Sequence, residues 1–358
     1  MVIITNPNTQ HVVVVSKAAW QTRRQNPLAV HVRASASAPA TTVSPTNQQA
    51  QPRRLFVAAD GTDESLEAMQ WAVHHLLDPS RRDIVHLAYV VNDPRTPQMA
   101  VDTTRGGGVQ WSPILEQQQL TSEWRQRLEE QGRQLLLQRF VPPLRAGGLA
   151  YEVDVLRQRG ARSAAGIGEL LCGASTGMWA LLVASHGAGI LADFGSVAQY
   201  CVQHAPCPLV LVPPPSAAPP PKDAPALLVS FGDAAGLERC ARFAADLLHG
   251  DGVAAASAVL VHADQAVEDA TNLAQLVATW GGARLHVESA ETMLQAGEAS
   301  EDSSGHTSKV GAQLCKAAAH ARVVIMCAPA GGLVQELLYG PALGHVLRHC
   351  DRPVVLLK

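Results

Sequence analysis

Downstream of residue 52 the chain alternates short, near-continuous apolar runs with segments whose apolar positions recur every three or four residues. Arg54–Asp60, "RLFVAAD", reads as a buried strand and Gly61–Ser65, "GTDES", as a turn carrying a helix N-cap. Residues 66–77 then place Leu66, Met69, Ala72, Val73, Leu76 and Leu77 on one face of an amphipathic helix. A second strand, "DIVHLAYVV", follows, then a loop over 92–113 and a long helix over 115–140 with Leu120, Trp124, Leu128 and Leu135 at helical spacing. Strand "YEVDVL", a helix around "GIGELLCGA", strand "WALLVAS", a glycine turn, helix "SVAQYCVQHA" and strand "PLVLV" complete a β-α-β-α-β-α-β-α-β series.

Between Val212 and Pro225, "VPPPSAAPPPKDAP" interrupts this pattern with proline triplets that hold an extended polyproline conformation. The series then starts again. Strands "ALLVSF", "AVLVHA", "ARLHVE", "RVVIMCA" and "PVVLL" alternate with helices "LERCARFAADLL", "NLAQLVATW", "VGAQLCKAAAH" and "ALGHVLRHC", with a mobile loop expected between Glu288 and Lys309. Near-continuous apolar strands alternating with helices imply mostly parallel sheets covered on both faces. The ends of the two series also align without gaps: "GSVAQYCVQHAPCPLVLV" on "GPALGHVLRHCDRPVVLL", pairing Gly195 with Gly340, His204 with His349 and Pro208 with Pro353. This reads as a duplication. The expected organisation is a leader over 1–52, a first domain over 53–213, a proline-rich linker over 214–224 and a second domain over 225–358.

Composition narrows the function. A formal net charge of −3 with no basic block in the folded part leaves no electrostatic footprint for nucleic acid or an anionic membrane. The apolar runs are far shorter than the ~20 residues of a membrane helix. Seven cysteines without short regular spacing are not a disulfide framework; Cys201, His204 and Cys207 stand at three-residue intervals, but Pro206 ends the helix before Cys207, and buried thiols are the better reading than zinc. Residues 1–54 differ in kind: they carry Lys17, Arg23, Arg24, Arg33, Arg53 and Arg54, and the first acidic residue of the chain is Asp60. Two readings stand for this segment, an organellar transit peptide with a chloroplast-type processing site at "VHVRASASA", or an extension without an address; the lack of acids favours the chloroplast stroma.

The glycine-spaced turn leading into "GSVAQYCVQHAPCPLVLV", together with "VAAD", "GTDES" and "VHLAYVV", resembles the universal stress protein family. The resemblance covers 53–213 strongly and 224–358 more weakly. It implies an open five-stranded α/β fold of the adenine-nucleotide hydrolase type, repeated here as two doubly wound sheets in a pseudo-dimer. It also implies a non-enzymatic stress-response role, with ATP or another adenine nucleotide held by a G-2x-G-9x-G-[S/T] pattern. Carried over by position, Asp60 and Val90 would contact adenine and ribose, while Gly187, Gly195, Ser196 and Val197 would face the phosphates with His186 nearby. No metal of the protein's own is implied. Family domains pair through their last strands, so residues 208–212 and 353–357 are expected to pair inside one chain; unidentified protein partners and a further homo-oligomer are also expected.

The departures leave alternatives open. Ala184 replaces the pattern's first glycine, and only seven residues separate Gly187 from Gly195. In the second series Cys327 and Ala330 replace both early glycines and Pro341 replaces the serine, removing one N–H and one hydroxyl. Phe231-Gly232 also stands where the first series has Ala59-Asp60. Glycines and an N-cap serine are ordinary in a strand-to-helix turn, so Gly187, Gly195 and Ser196 are either a phosphate cradle or a plain turn. Asp60 either reaches a ligand or caps its own turn, and Val90 either lines a pocket or is core. His204 and His349 are expected to engage carbonyls at helix C-termini, and Trp71 and Trp124 to be core. Neither a G-x-S-x-G elbow nor a Walker lysine is present, and no catalytic residue is assigned. A nucleotide-free interaction scaffold and a slow ATP hydrolase are the alternative functions.

Overall fold

A computed structural model describes residues 2–5, 11–14, 30–32, 52–92, 114–158, 163–185, 195–214, 224, 226–231, 234–248, 255–261, 284–289, 306–327 and 341–358. The expected loop over 92–113, apart from Asn92, and the expected helix "NLAQLVATW" lie outside them. So does most of the Glu288–Lys309 loop, although the helix after it begins at His306, ahead of the expected "VGAQLCKAAAH".

Three short strands, β1 (Val2–Thr5), β2 (His11–Val14) and β3 (Val30–Val32), form a small sheet of order β2-β1-β3, where the sequence pattern gave no strand. The first series folds as β4 (Arg54–Ala59), α1 (Asp63–His75), β5 (Ile84–Asn92), α2 (Ile114–Leu135), α3 (Val141–Ala146), β6 (Ala150–Gln158), α4 (Ala164–Ala174), β7 (Ala180–Ala184), α5 (Ser196–His204) and β8 (Leu209–Val212). A π turn, Leu136–Phe140, joins α2 to α3. Pro142 and Pro143 bring no N–H to the carbonyls one turn back, and the helix widens to pass them. The second series contributes β9 (Ala226–Phe231), α6 (Ala234–Leu248), β10 (Ala255–Val261), β11 (Arg284–Ser289), α7 (His306–Ala318), β12 (Val323–Cys327), α8 (Pro341–His349) and β13 (Val354–Leu357).

The two expected five-stranded sheets are one continuous sheet of ten strands, in the order β11-β10-β9-β12-β13-β8-β7-β4-β5-β6. Neighbours are parallel within each series. The join is the antiparallel pair β13–β8, in register Val354↔Leu211, Val355↔Val210 and Leu356↔Leu209. All seven of the β8 and β13 residues at this seam other than Leu209 are, like Leu209, buried apolar side chains, so pairing removes both an apolar strip and two open strand edges from water.

Period-two alternation sorts the strand residues onto two cores, one on each face of the sheet and each running across both series. Val57, Leu87, Leu182, Leu228 and Ile325 lie in one; Phe56, Leu181, Leu209, Val229 and Met326 lie in the other. Trp71 packs against the first, as expected. Trp124 does not: it is 43% exposed, because the long helix closes on the sheet only further along, where Gly132 lies against Tyr89 and Val155 and Leu135 packs on the core.

The series also meet through a polar junction that periodicity does not announce. Arg53, just before β4, forms a buried ion pair with Asp83 at 2.5 Å and lies 4.6 Å above the Trp179 ring. From α6, the Asp246 carbonyl accepts from Arg53 at 3.2 Å and from Arg81 at 3.1 Å, and its carboxylate accepts from Trp179 Nε1 at 2.8 Å. Phe243, one turn earlier on α6, stacks on Trp179 with centroids 5.0 Å apart.

Candidate functional site

Strand order reverses between β4 and β7. After β4 the chain crosses to the face where Ala68, Met69 and Ala72 of α1 are buried; after β7 it crosses to the opposite face, where Ala198, Cys201 and Val202 of α5 are buried. The two connections diverge at the carboxyl ends of adjacent parallel strands, which is where doubly wound sheets open a crevice.

One wall is the β4–α1 turn. Gly61 takes φ +85°, a left-handed conformation that suits glycine, and a Cβ there would lie 3.0 Å from Leu135 Cδ1. Asp60 accepts from the Thr62 amide at 2.9 Å and from its hydroxyl at 2.6 Å. Thr62 in turn caps α1, accepting from the Ser65 amide at 3.2 Å. Arg139, on the π turn, donates to the Gly61 carbonyl and to the Asp63 carboxylate, bracing the turn from the long helix. Asp60 is thus committed to its own turn while remaining exposed.

The other wall is the start of α5. Ser185, the residue after β7, donates its amide to the Val212 carbonyl at 2.8 Å, and its own carbonyl accepts from the Gly195 amide at 2.8 Å. The second bond pins the N-cap of α5 to the end of β7. Gly195 is the N-cap of α5 and supplies no side-chain acceptor, whereas Thr62 caps α1 and Ser163 caps α4 through the Gly166 amide at 3.1 Å. The leading amides of α5 therefore look to something other than a cap side chain for an acceptor.

Of the positions picked out in the sequence, Gly195 and Ser196 lie at this helix start, and Val197 packs against the same core cluster as Val90 of β5. Val90 is half buried and pairs in register with Leu156. His186 and Gly187 lie outside the described residues. His204 donates from Nδ1 to the Tyr200 carbonyl at 2.9 Å and stacks on that ring, the expected helix-end role. Cys201 and Cys207 are buried while His204 is exposed, and among the described residues no group of three or more His, Cys, Asp or Glu side chains is placed to hold a metal ion.

At the equivalent reversal between β9 and β12, the chemistry is different. Cys327 ends β12, and Arg239 of α6 donates to its sulfur from Nε at 3.2 Å and from Nη2 at 3.0 Å. Cys240 donates to the Val229 carbonyl at 3.5 Å. A guanidinium on a thiol thus stands where the pattern's first glycine would be. Gly232, Ala330 and Gly340 lie outside the described residues. Among the described residues no helix is long and apolar enough to cross a membrane.

Strand order, parallel register and the crevice define the class: a doubly wound α/β protein. The family model for the universal stress protein family matches residues 51–213. The universal stress protein PHOS32 of Arabidopsis thaliana is 27% identical over 181 residues, 47% of this chain and 67% of that protein. A universal stress protein from Archaeoglobus fulgidus DSM 4304 superposes with a TM-score of 0.54 at 16% identity, over 86% of this chain and 97% of that one. A universal stress protein solved in complex with cAMP is 17% identical, over 45% of this chain and 96% of its own, with a TM-score of 0.26. Residues 51–213 thus carry a universal stress protein domain.

Proposed function

We propose that the first series, residues 53–213, binds an adenine nucleotide in the crevice between the β4–α1 turn and the start of α5, and that the protein is a non-enzymatic regulator of the stress response. The observation that carries this reading is the glycine-capped start of α5, held by the Ser185–Gly195 bond beside a strand-order reversal. Amides at a helix start favour an anion through both hydrogen bonding and the helix dipole, and Gly195 lets a phosphate approach the backbone without meeting a Cβ. Ser196 adds a hydroxyl at the same edge. Val90, half buried, gives an apolar surface suited to a purine or ribose face. Asp60 is offered as a ligand contact that keeps its turn: its Oδ1 takes both Thr62 bonds and Oδ2 remains for a ribose hydroxyl.

No nucleophile or general base is assigned, so the nucleotide acts by population shift, favouring whichever arrangement binds it more tightly. We read residues 225–358 as a degenerate repeat, supported by the gapless match of the ends of the two series and the same strand order in both. It contributes the seam rather than a second phosphate site, because Cys327 with its guanidinium and Pro341 replace the pattern's chemistry. The β8–β13 pair then makes the chain an internal pseudo-dimer. For the leader we propose a chloroplast address from its acid-free composition; residues 1–54 fused to a fluorescent reporter are expected to direct it to plastids, and a cytosolic signal would refute this.

Calorimetric titration of ATP, ADP and AMP tests the nucleotide reading, with phosphate release followed over hours to separate binding from turnover. Binding without release is expected. Absence of binding at ~1 mM nucleotide, an affinity of only about 4 kcal/mol, would favour the nucleotide-free scaffold.

A further inference from the structure

Helices α4 and α5 approach each other unusually closely at one point. A Cβ on Gly168 of α4 would lie 2.4 Å from Tyr200 Cδ1, 2.6 Å from Cγ and 2.8 Å from Cβ, so only glycine lets the Tyr200 ring of α5 lie there. Cys172 is one turn beyond Gly168 on the same helix face, and Cys201 is the residue after Tyr200. The close approach places Cys172 and Cys201 on facing positions of the two packed helices. Both lie in the same buried cluster, and Cys207 joins them there.

Two polar groups fix the surroundings. Ser175, fully buried at the end of α4, donates to the Cys172 carbonyl at 3.0 Å. Lys358, beyond β13, reaches across the seam between the series and donates to the Ala205 carbonyl at 2.7 Å, and from there its charge acts on the three thiols. The environments of the paired thiols are unequal. The Cys201 hydrogen bond and the Lys358 charge hold Cys172 below the usual thiol range against the opposing effect of burial. The same hydrogen bond, with burial, pushes Cys201 far up, and burial pushes Cys207 up. Cys172 also keeps 6% of its surface while Cys201 keeps none.

We propose that Cys172 and Cys201 form a peroxide-oxidisable dithiol bridging α4 and α5, with Cys172 oxidised first and Cys201 resolving. The Cys172 thiolate attacks one oxygen of hydrogen peroxide, the O–O bond breaks, and hydroxide leaves as Cys172 becomes a sulfenic acid. The Cys201 sulfur then attacks the Cys172 sulfur, the S–O bond breaks, and the thiol proton departs with the oxygen as water. Two thiols and one peroxide give one disulfide and two waters, the sulfurs losing two electrons to the peroxide oxygens. Because the bond would tie the helix that opens the proposed nucleotide crevice to its neighbour, it also lies where oxidation can bear on that site.

The test uses the full chain, reduced and then exposed to hydrogen peroxide. Trypsin alone leaves Cys172, Cys201 and Cys207 in one peptide, since no Lys or Arg occurs between Arg162 and Lys222; chymotrypsin is added to cut at Trp179. The expected result is a Cys172–Cys201 cross-linked peptide and a fall in titratable thiols in denaturant from seven to five. In Cys201→Ser the resolving step is lost, and a 1,3-dione probe is expected to label Cys172 at least tenfold more than in the unaltered chain. Persistence of all seven thiols at a peroxide dose that oxidises free cysteine would overturn the proposal, as would a bridge joining any other pair in place of Cys172–Cys201. Mapping on the unaltered chain decides the matter even if the serine variant does not fold.

Discussion

Replacing Asp83 by alanine attacks the polar junction at its most buried point. Asp83 is fully buried and accepts four hydrogen bonds: from the Arg53 amide at 2.9 Å, Arg53 Nε at 3.0 Å, Arg53 Nη2 at 2.5 Å and the Asp78 amide at 2.9 Å. Truncation leaves the Arg53 guanidinium, itself buried, with only the Asp246 carbonyl at 3.2 Å and the face of Trp179, and leaves two backbone amides without their acceptor. Removing one partner of a buried ion pair costs about 3–5 kcal/mol, most of it the penalty of the remaining charge. Water entering beside Arg53 offsets part of the amide loss, so about 4 kcal/mol is expected in all. For a cooperative unit of roughly 150–250 residues, that lowers the unfolding midpoint by about 8–16 °C. The assay is urea and thermal unfolding followed by circular dichroism and tryptophan fluorescence, the two probes checking one another. The double variant Arg53→Met, Asp83→Leu removes the stranded charge and is expected to recover at least about 1 kcal/mol of the single variant's loss. A loss below about 1 kcal/mol for Asp83→Ala, or a double variant no more stable than the single one, would refute the claim that the buried charge governs this junction.

Three further outcomes follow from local geometry. Gly168→Ala places a methyl where the Tyr200 ring already lies, so α4 and α5 must separate; a destabilisation of about 1–3 kcal/mol in urea is expected, and a neutral result would contradict the close approach. Thr62→Ala removes the cap of α1 and is expected to cost about 1 kcal/mol, whereas Thr62→Ser keeps the oxygen and most of the stability. Burial, with His349 and Arg348 close by, lowers the His345 pKa from its ordinary value near 6.5. The unfolded chain therefore binds this proton more readily, so the contribution of neutral His345 is complete above about pH 6.5 and is lost as pH falls towards the lowered folded value. Unfolding of His345→Gln is expected to be less pH-dependent in that window, and an unchanged dependence would rule His345 out as a source.

Much of the architecture is legible in the sequence because each strand is a short apolar run and each helix carries its own periodic stripe. Val57 and Phe56, neighbours in sequence, fall into opposite cores as alternation requires. Periodicity fails where one element is only partly covered. Trp124 sits at helical spacing with Leu128 and Leu135, yet the helix has not reached the sheet at that turn. The merging of two sheets into one is an interaction between distant edges that no local window contains. The same holds for Arg53, Asp83, Trp179 and Asp246: four residues from four separate segments, unremarkable singly, are joined only by the fold. At the candidate site, Gly195 and Ser196 are marked by helix-start chemistry, and Asp60 by the Asx turn it makes. The Cys172–Cys201 contact carries no spacing signal, since it depends on how closely Gly168 lets two helices approach.

The central claim is that α5 begins as an anion site for an adenine nucleotide, and the most direct measurement compares ATP binding by calorimetry in the unaltered chain, Gly195→Val and Ser196→Ala. Valine places a branched side chain where the phosphate must approach, and alanine removes one hydroxyl donor. Binding by the unaltered chain is expected to be abolished in Gly195→Val and weakened about tenfold, or about 1.4 kcal/mol, in Ser196→Ala. ATP binding that survives Gly195→Val undiminished would contradict the account and put the nucleotide somewhere else on the molecule.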